Sequence, residues 1–206
     1  MTPNPRSVAL PAVIAAALAA GAALAQTAAP AGVQAGTYAI EPIHTRVLFA
    51  VSHTGNSTWY GDFNHASGTL TLDPKNPAAS KLEVSVPVDT ISTTNAVLDK
   101  ELKGADWFDA AKFPTMTFRS TRITPTGPQS ADVAGELTLH GVTKPVVLHA
   151  RFKGAGPSPL SHAYMVGFDA TGEIKRSDFG ITKYAPVIVG DDVQLILSAP
   201  FVKKPA

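Results

Sequence analysis

The chain has 206 residues, 45% of them hydrophobic, with 17 Lys and Arg against 16 Asp and Glu, 16 Gly, 17 Pro and no cysteine. A net charge of +1 supplies no basic field for nucleic acid phosphates, and 16% charged residues is too few for a self-repelling disordered chain. The missing cysteines exclude disulfide scaffolds, thiolate metal sites, cysteine nucleophiles and haem attached through C-x-x-C-H.

Arg6 is the one charge in the first 40 residues, and an apolar run from Val8 to Ala25 follows it. The run closes on Ala23-Leu24-Ala25, small-large-small as at an export-signal cleavage site. It is short for a membrane span and is interrupted by Pro11 and Gly21. Residues 1–25 are therefore expected to be a cleaved signal peptide. Without Arg6 the exported chain carries 16 basic and 16 acidic residues. Residues 26–36 (QTAAPAGVQAG) have no charge and no large side chain, which predicts a flexible leader. A single domain is expected over 37–203.

Beyond Gly36, apolar residues alternate with polar ones, the period of strands buried on one face. Val47, Phe49 and Val51 form the first such row, followed by Leu70 and Leu72. Leu82, Val84, Val86 and Val88 make KLEVSVPVD the clearest strand, and Met116 with Phe118 comes next. Later rows are Leu137 with Leu139, then Val146 to Phe152, Val166 to Ala170, and Val193 to Phe201. About eight strands result, joined by turns rich in Pro, Gly and Asn, so a helical bundle is excluded and a meandering antiparallel sheet is expected. One helical insertion interrupts them at Asn95 to Gly104. It has Asn95 as N-cap, an Asp99–Lys103 pair, Gly104 as a left-handed stop, and Val97, Leu98 and Leu102 on one face to cover an end of the sheet.

Familiar catalytic signatures are missing: G-x-S-x-G, G-x-x-x-x-G-K-[ST], H-E-x-x-H and G-x-G-x-x-G do not occur. None of the six histidines pairs with another at a spacing that shares a strand or helix face. A composite site built from His44, His53 and Asp62 would make a metal-dependent enzyme, and this alternative stays open. His53 continues the row of Val47, Phe49 and Val51. It is either a buried imidazole satisfied by a carbonyl or a polar tip in an apolar cavity. Asp106-Trp107-Phe108-Asp109 reads as a packed aromatic corner. Trp59 and Tyr60 pack the core or line a cavity.

Several longer motifs occur in a fixed order. They are Val47 to Gly55, Trp59-Tyr60-Gly61-Asp62-Phe63, Asp99 to Asp109, Lys112-Phe113-Pro114, Gly135 to Val146, and Ile174 to Gly180. Together they resemble the YceI family of exported, lipocalin-like polyisoprenoid-binding proteins. Glu41 and Thr45, around His44, stand where that family often has Asp and Ser. The resemblance implies an all-β fold, an eight-stranded antiparallel lipocalin-like barrel with one short helical insertion. It implies a periplasmic carrier that holds a long isoprenoid or quinone-like lipid, without enzymatic activity and with no required cofactor. Expected partners are the apolar lipid and a membrane or membrane protein that exchanges it. No nucleic acid is expected, and a homodimer is left open. Strand alternation then assigns the ligand-lining residues as Phe49, Val51, His53, Trp59, Phe63, Val84, Val86, Phe118 and Phe168. An accessory role in membrane electron transfer or stress response is an alternative, expecting an apolar patch around the helix and loss of lipid transfer in Leu98→Asp.

Overall fold

The computed structural model describes residues 32–205; the expected signal peptide lies outside them. Ten strands run in chain order: β1 (Gly36–Ile40), β2 (Arg46–His53), β3 (Ser57–Phe63), β4 (Ser67–Leu72), β5 (Lys81–Pro87), β6 (Thr115–Gly127), β7 (Ser130–Leu139), β8 (Val142–Pro157), β9 (Tyr164–Lys175) and β10 (Val189–Lys203). Helix α1 (Ala96–Leu102) lies between β5 and β6. All pairings are antiparallel, in the order β1-β4-β5-β6-β7-β8-β9-β10-β2-β3, and β1 also pairs with β10. β10 bonds to β2 along Val189–Ser198 and to β1 along Phe201–Lys203, so β1 and β2 are two halves of one bent stave. β3 and β4 are likewise halves of the next, pairing with β2 and β1 in turn. The ten strands thus make a closed barrel of eight staves.

The first bend is held by Glu41, whose carboxylate accepts from the backbone N–H of Ile43 and His44. The buried Thr45 hydroxyl donates to the Glu41 carbonyl at 2.7 Å. Glu and Thr in place of Asp and Ser therefore still close this turn. Beyond the bend the barrel is incomplete on one side. β3 joins the chain after β5 through a single bridge, Asp62 to Ser92. Residues 92–113, including α1, occupy that side and cap this end.

The helix is shorter than expected. Asn95 caps it, its side chain accepting from the N–H of Val97 and Leu98. It ends on Lys103 in right-handed conformation, and Gly104 N–H bonds to the Glu101 carbonyl, so no left-handed stop is needed. Asp99 does not pair with Lys103. Its carboxylate accepts from the N–H and hydroxyl of Thr93, tying the helix to the preceding loop. Leu102 is buried and Leu98 partly so, but Val97 is 81% exposed, because seven residues bury a narrower stripe than a three-turn helix would.

The end of the expected leader is also packed. Val33 is buried, and Gln34 donates its N–H to Tyr164 Oη and accepts from the Tyr38 hydroxyl and Lys203 Nζ. Residues 32–36 lack large side chains, but the barrel wall supplies the apolar area they cannot bury alone.

Tyr38 is fully buried and donates to the Gln34 carbonyl at 2.6 Å. Burial, with Tyr164 adding to it, pushes its pKa from the ordinary value near 10 up to about 12. The fold favours the neutral phenol, so this contribution is complete below pH 10 and is lost as the pH rises through 12. It is worth roughly 2–3 kcal/mol. Urea titrations from pH 9 to 12 should therefore show the native protein losing stability faster than Tyr38→Phe; parallel losses would exclude the effect.

Candidate lipid-binding cavity

The inward rows of the strands enclose a cavity of about 710 Å³ with an almost wholly apolar wall, running nearly the length of the barrel. At one end Val33, Pro74, Pro77, Pro125 and Pro128 line it; at the other, Trp59, Leu98, Phe108, Tyr184 and Ile188 do. The volume falls within the range that holds a small molecule and encloses most of its surface.

All nine sequence-assigned residues line this cavity: Phe49, Val51 and His53 from β2, Trp59 and Phe63 from β3, Val84 and Val86 from β5, Phe118 from β6 and Phe168 from β9. Phe63, Val86 and Phe118 are buried, and Trp59 is 36% exposed at the rim. The wall also supplies much of the protein's packed core, so lining and core are the same side chains seen from two sides. Phe49, Phe63 and Phe108 form one aromatic group, with centroids 5.9 and 5.4 Å apart. Phe152, Phe168 and Phe201 form another, at 5.6 and 6.2 Å. Two glycines decide how far the rings intrude. A Cβ on Gly61 would stand 2.5 Å from the Phe49 ring, and one on Gly135 would stand 2.4 Å from that of Phe118. Both rings lie back over glycine, which keeps the bore open.

The candidate metal set does not assemble. His44 is exposed on the Glu41 carboxylate at 2.8 Å, and Asp62 pairs with Arg46. His53 lies edge-on to Trp59 with ring centroids 6.1 Å apart. Among the described residues no group of three His, Cys, Asp or Glu could hold a metal ion. His53 itself takes the cavity-lining alternative at this rim, not that of an imidazole bonded to a carbonyl.

Sequence reasoning missed Arg176. It follows β9, is 5% exposed, and lines the cavity at the α1 end. Its Nε donates to the Gly190 carbonyl, Nη1 to those of Ile181 and Lys183, and Nη2 to that of Val189, at 2.7–2.9 Å. The guanidinium carbon sits 5.5 Å from the Trp107 ring centroid. Trp107 is buried, donates Nε1–H to Glu101 and meets Tyr184 at 6.2 Å, so Asp106 to Asp109 is a packed aromatic corner. The missed signal was parity: 168, 170, 172, 174 and 176 are one inward row.

Beside this end, Tyr60, Val97, Tyr184 and Ile188 are 44–81% exposed while also lining the cavity. These four exposed apolar side chains border the cavity at the end where the helix lies. Val97 is the helical member of the four, and Leu98 faces the cavity.

A family model for the YceI-like domain matches residues 38–201. A UPF0312 protein of Ectopseudomonas mendocina is 41% identical over 162 residues, covering 78% of this chain and 83% of that protein. The crystal structure of Burkholderia cenocepacia BcnA superposes with a TM-score of 0.71 at 26% identity, covering 78% of this chain and 98% of that one. A polyisoprenoid binding domain from Saccharophagus degradans, implicated in plant cell wall breakdown, shares the fold with a TM-score of 0.62 at 14% identity, covering 83% of this chain and all of that one. By sequence and fold together, this chain belongs to the YceI-like domain family.

Proposed function

We propose that the protein is a periplasmic binding and carrier protein, not an enzyme, for a long apolar lipid of the polyprenyl or quinone-like class. The observation that carries this reading is the continuous apolar cavity of about 710 Å³ inside a closed barrel. Each methylene moved from water into such a wall contributes about 0.8 kcal/mol, so a few isoprene units supply ample affinity after the costs of association are met. The polyisoprenoid-binding neighbour supports the same ligand class. The rim of Tyr60, Val97, Tyr184 and Ile188 supports exchange with a membrane or membrane protein, since amphipathic aromatics suit a lipid interface. The apolar stretch ending at Ala25 supports export.

Protein purified from its own host should carry a polyprenyl-class lipid, detectable by native mass spectrometry and solvent extraction. If it carried no apolar molecule and also failed to take up polyprenol or quinone analogues, the reading would fall.

A further inference from the structure

We infer that the α1 end of the cavity selects a lipid whose head is an oxyanion, a phosphate or a carboxylate, and that Arg176 is the residue that selects it. The inference rests on the lipid-binding reading above and adds the orientation and head chemistry of the ligand. Three residues with charged side chains line the cavity: Arg46, Glu101 and Arg176. Arg46 is paired with Asp62, and Glu101 lies 3.6 Å from Lys183 and accepts from Trp107 Nε1. Arg176 has no ion-pair partner among the described residues. Asp191, the acid that influences it, accepts from the N–H and hydroxyl of Ser177 instead.

No carboxylate is therefore bonded to the guanidinium, and Asp191 acts on it only through space. Four of its five N–H groups go to backbone carbonyls, leaving one on Nη2 without a hydrogen-bond partner among the described residues. Carbonyl dipoles solvate the cation without cancelling its charge, and a buried charge without a counterion is a costly arrangement. Burial pulls its pKa below the ordinary value, Asp191 opposing that shift. An oxyanion entering along the cavity would supply the missing countercharge and accept the remaining N–H. A guanidinium is the side chain best matched to the shape of phosphate and carboxylate. The apolar tail would then run through the barrel toward Val33 and the prolines at the far end.

The test compares heads on a constant chain, using the full chain after solvent delipidation. Geranylgeranyl monophosphate is titrated against geranylgeraniol, and phytanate against phytanol, by calorimetry. Anionic heads are expected to bind at least tenfold tighter than their alcohols. A preference for phosphate alone or for carboxylate alone supports the inference and names the source of the oxyanion. Equal affinities overturn it while leaving the cavity reading intact, because the alcohols report the tail alone; binding by none of the four overturns both. Arg176→Gln should cut affinity for the anion at least tenfold more than for the alcohol. If Arg176 merely tied down the loop over residues 181–190, both affinities would fall in parallel, and the selecting role would be refuted.

Discussion

Replacing Ala170 with tryptophan is expected to weaken binding of a long prenyl chain at least a hundredfold while the barrel stays folded. Ala170 on β9 pairs with Ala150 on β8, and both line the cavity, as do Ala131 and Ala199. These small residues give the bore its width beside the group of Phe152, Phe168 and Phe201. An indole projecting from residue 170 would block the path and exclude the methylenes beyond it. Four excluded methylenes cost about 3 kcal/mol, which is already more than a hundredfold. The side chain enters open space, so overpacking strain should stay within roughly 1–3 kcal/mol. Calorimetric titration with a polyprenol, beside a thermal unfolding scan, checks both halves. Undiminished affinity in a folded Ala170→Trp variant would mean that the lipid does not run through the barrel.

Trp107→Ala should cost roughly 3–5 kcal/mol of stability, in the range for removing a large buried aromatic. Trp107 is 7% exposed, and its neighbours share a single surface: Arg176 above the ring at 5.5 Å, Lys183 at 6.0 Å and Tyr184 at its edge. Truncation would leave the buried Arg176 without its aromatic face and Glu101 without its indole donor. Denaturant titration should show a lower midpoint with little change in slope. A loss under 1 kcal/mol would show that the corner packs independently of the ring.

Legibility in the sequence follows periodicity. KLEVSVPVD reads clearly because Leu82, Val84 and Val86 face inward with polar residues between them, although the chain leaves the strand at Val88 for a 3₁₀ turn. β1 and β3 are hard to read for opposite reasons. β1 is five residues long, and β3 puts Gly61 where an inward apolar side chain would continue the row from Trp59 to Phe63. The nine lining residues are legible since alternation needs no knowledge of neighbouring strands. The ends of the cavity are not, because Val33, Trp107, Phe108 and Tyr184 come from connections where side-chain direction has no period. Arg176 and His53 each terminate an inward row, at positions where a polar residue breaks an apolar series. Whether an inward row encloses space or fills it depends on how glycine and alanine sit opposite the rings, and that pairing exists only in three dimensions.

The half-joined stave has a mechanical consequence. Around the β1 end the hydrogen-bond ladder is continuous, so widening there would break backbone bonds on every side. Along β3 a single bridge to Ser92 closes the wall. Lifting residues 92–113 away from that edge would cost the bridge, the Lys183 ion pairs with Glu101 and Asp106 and side-chain packing, not a row of ladder bonds. The barrel is thus stiff at its base and weakest along one line, the edge of β3.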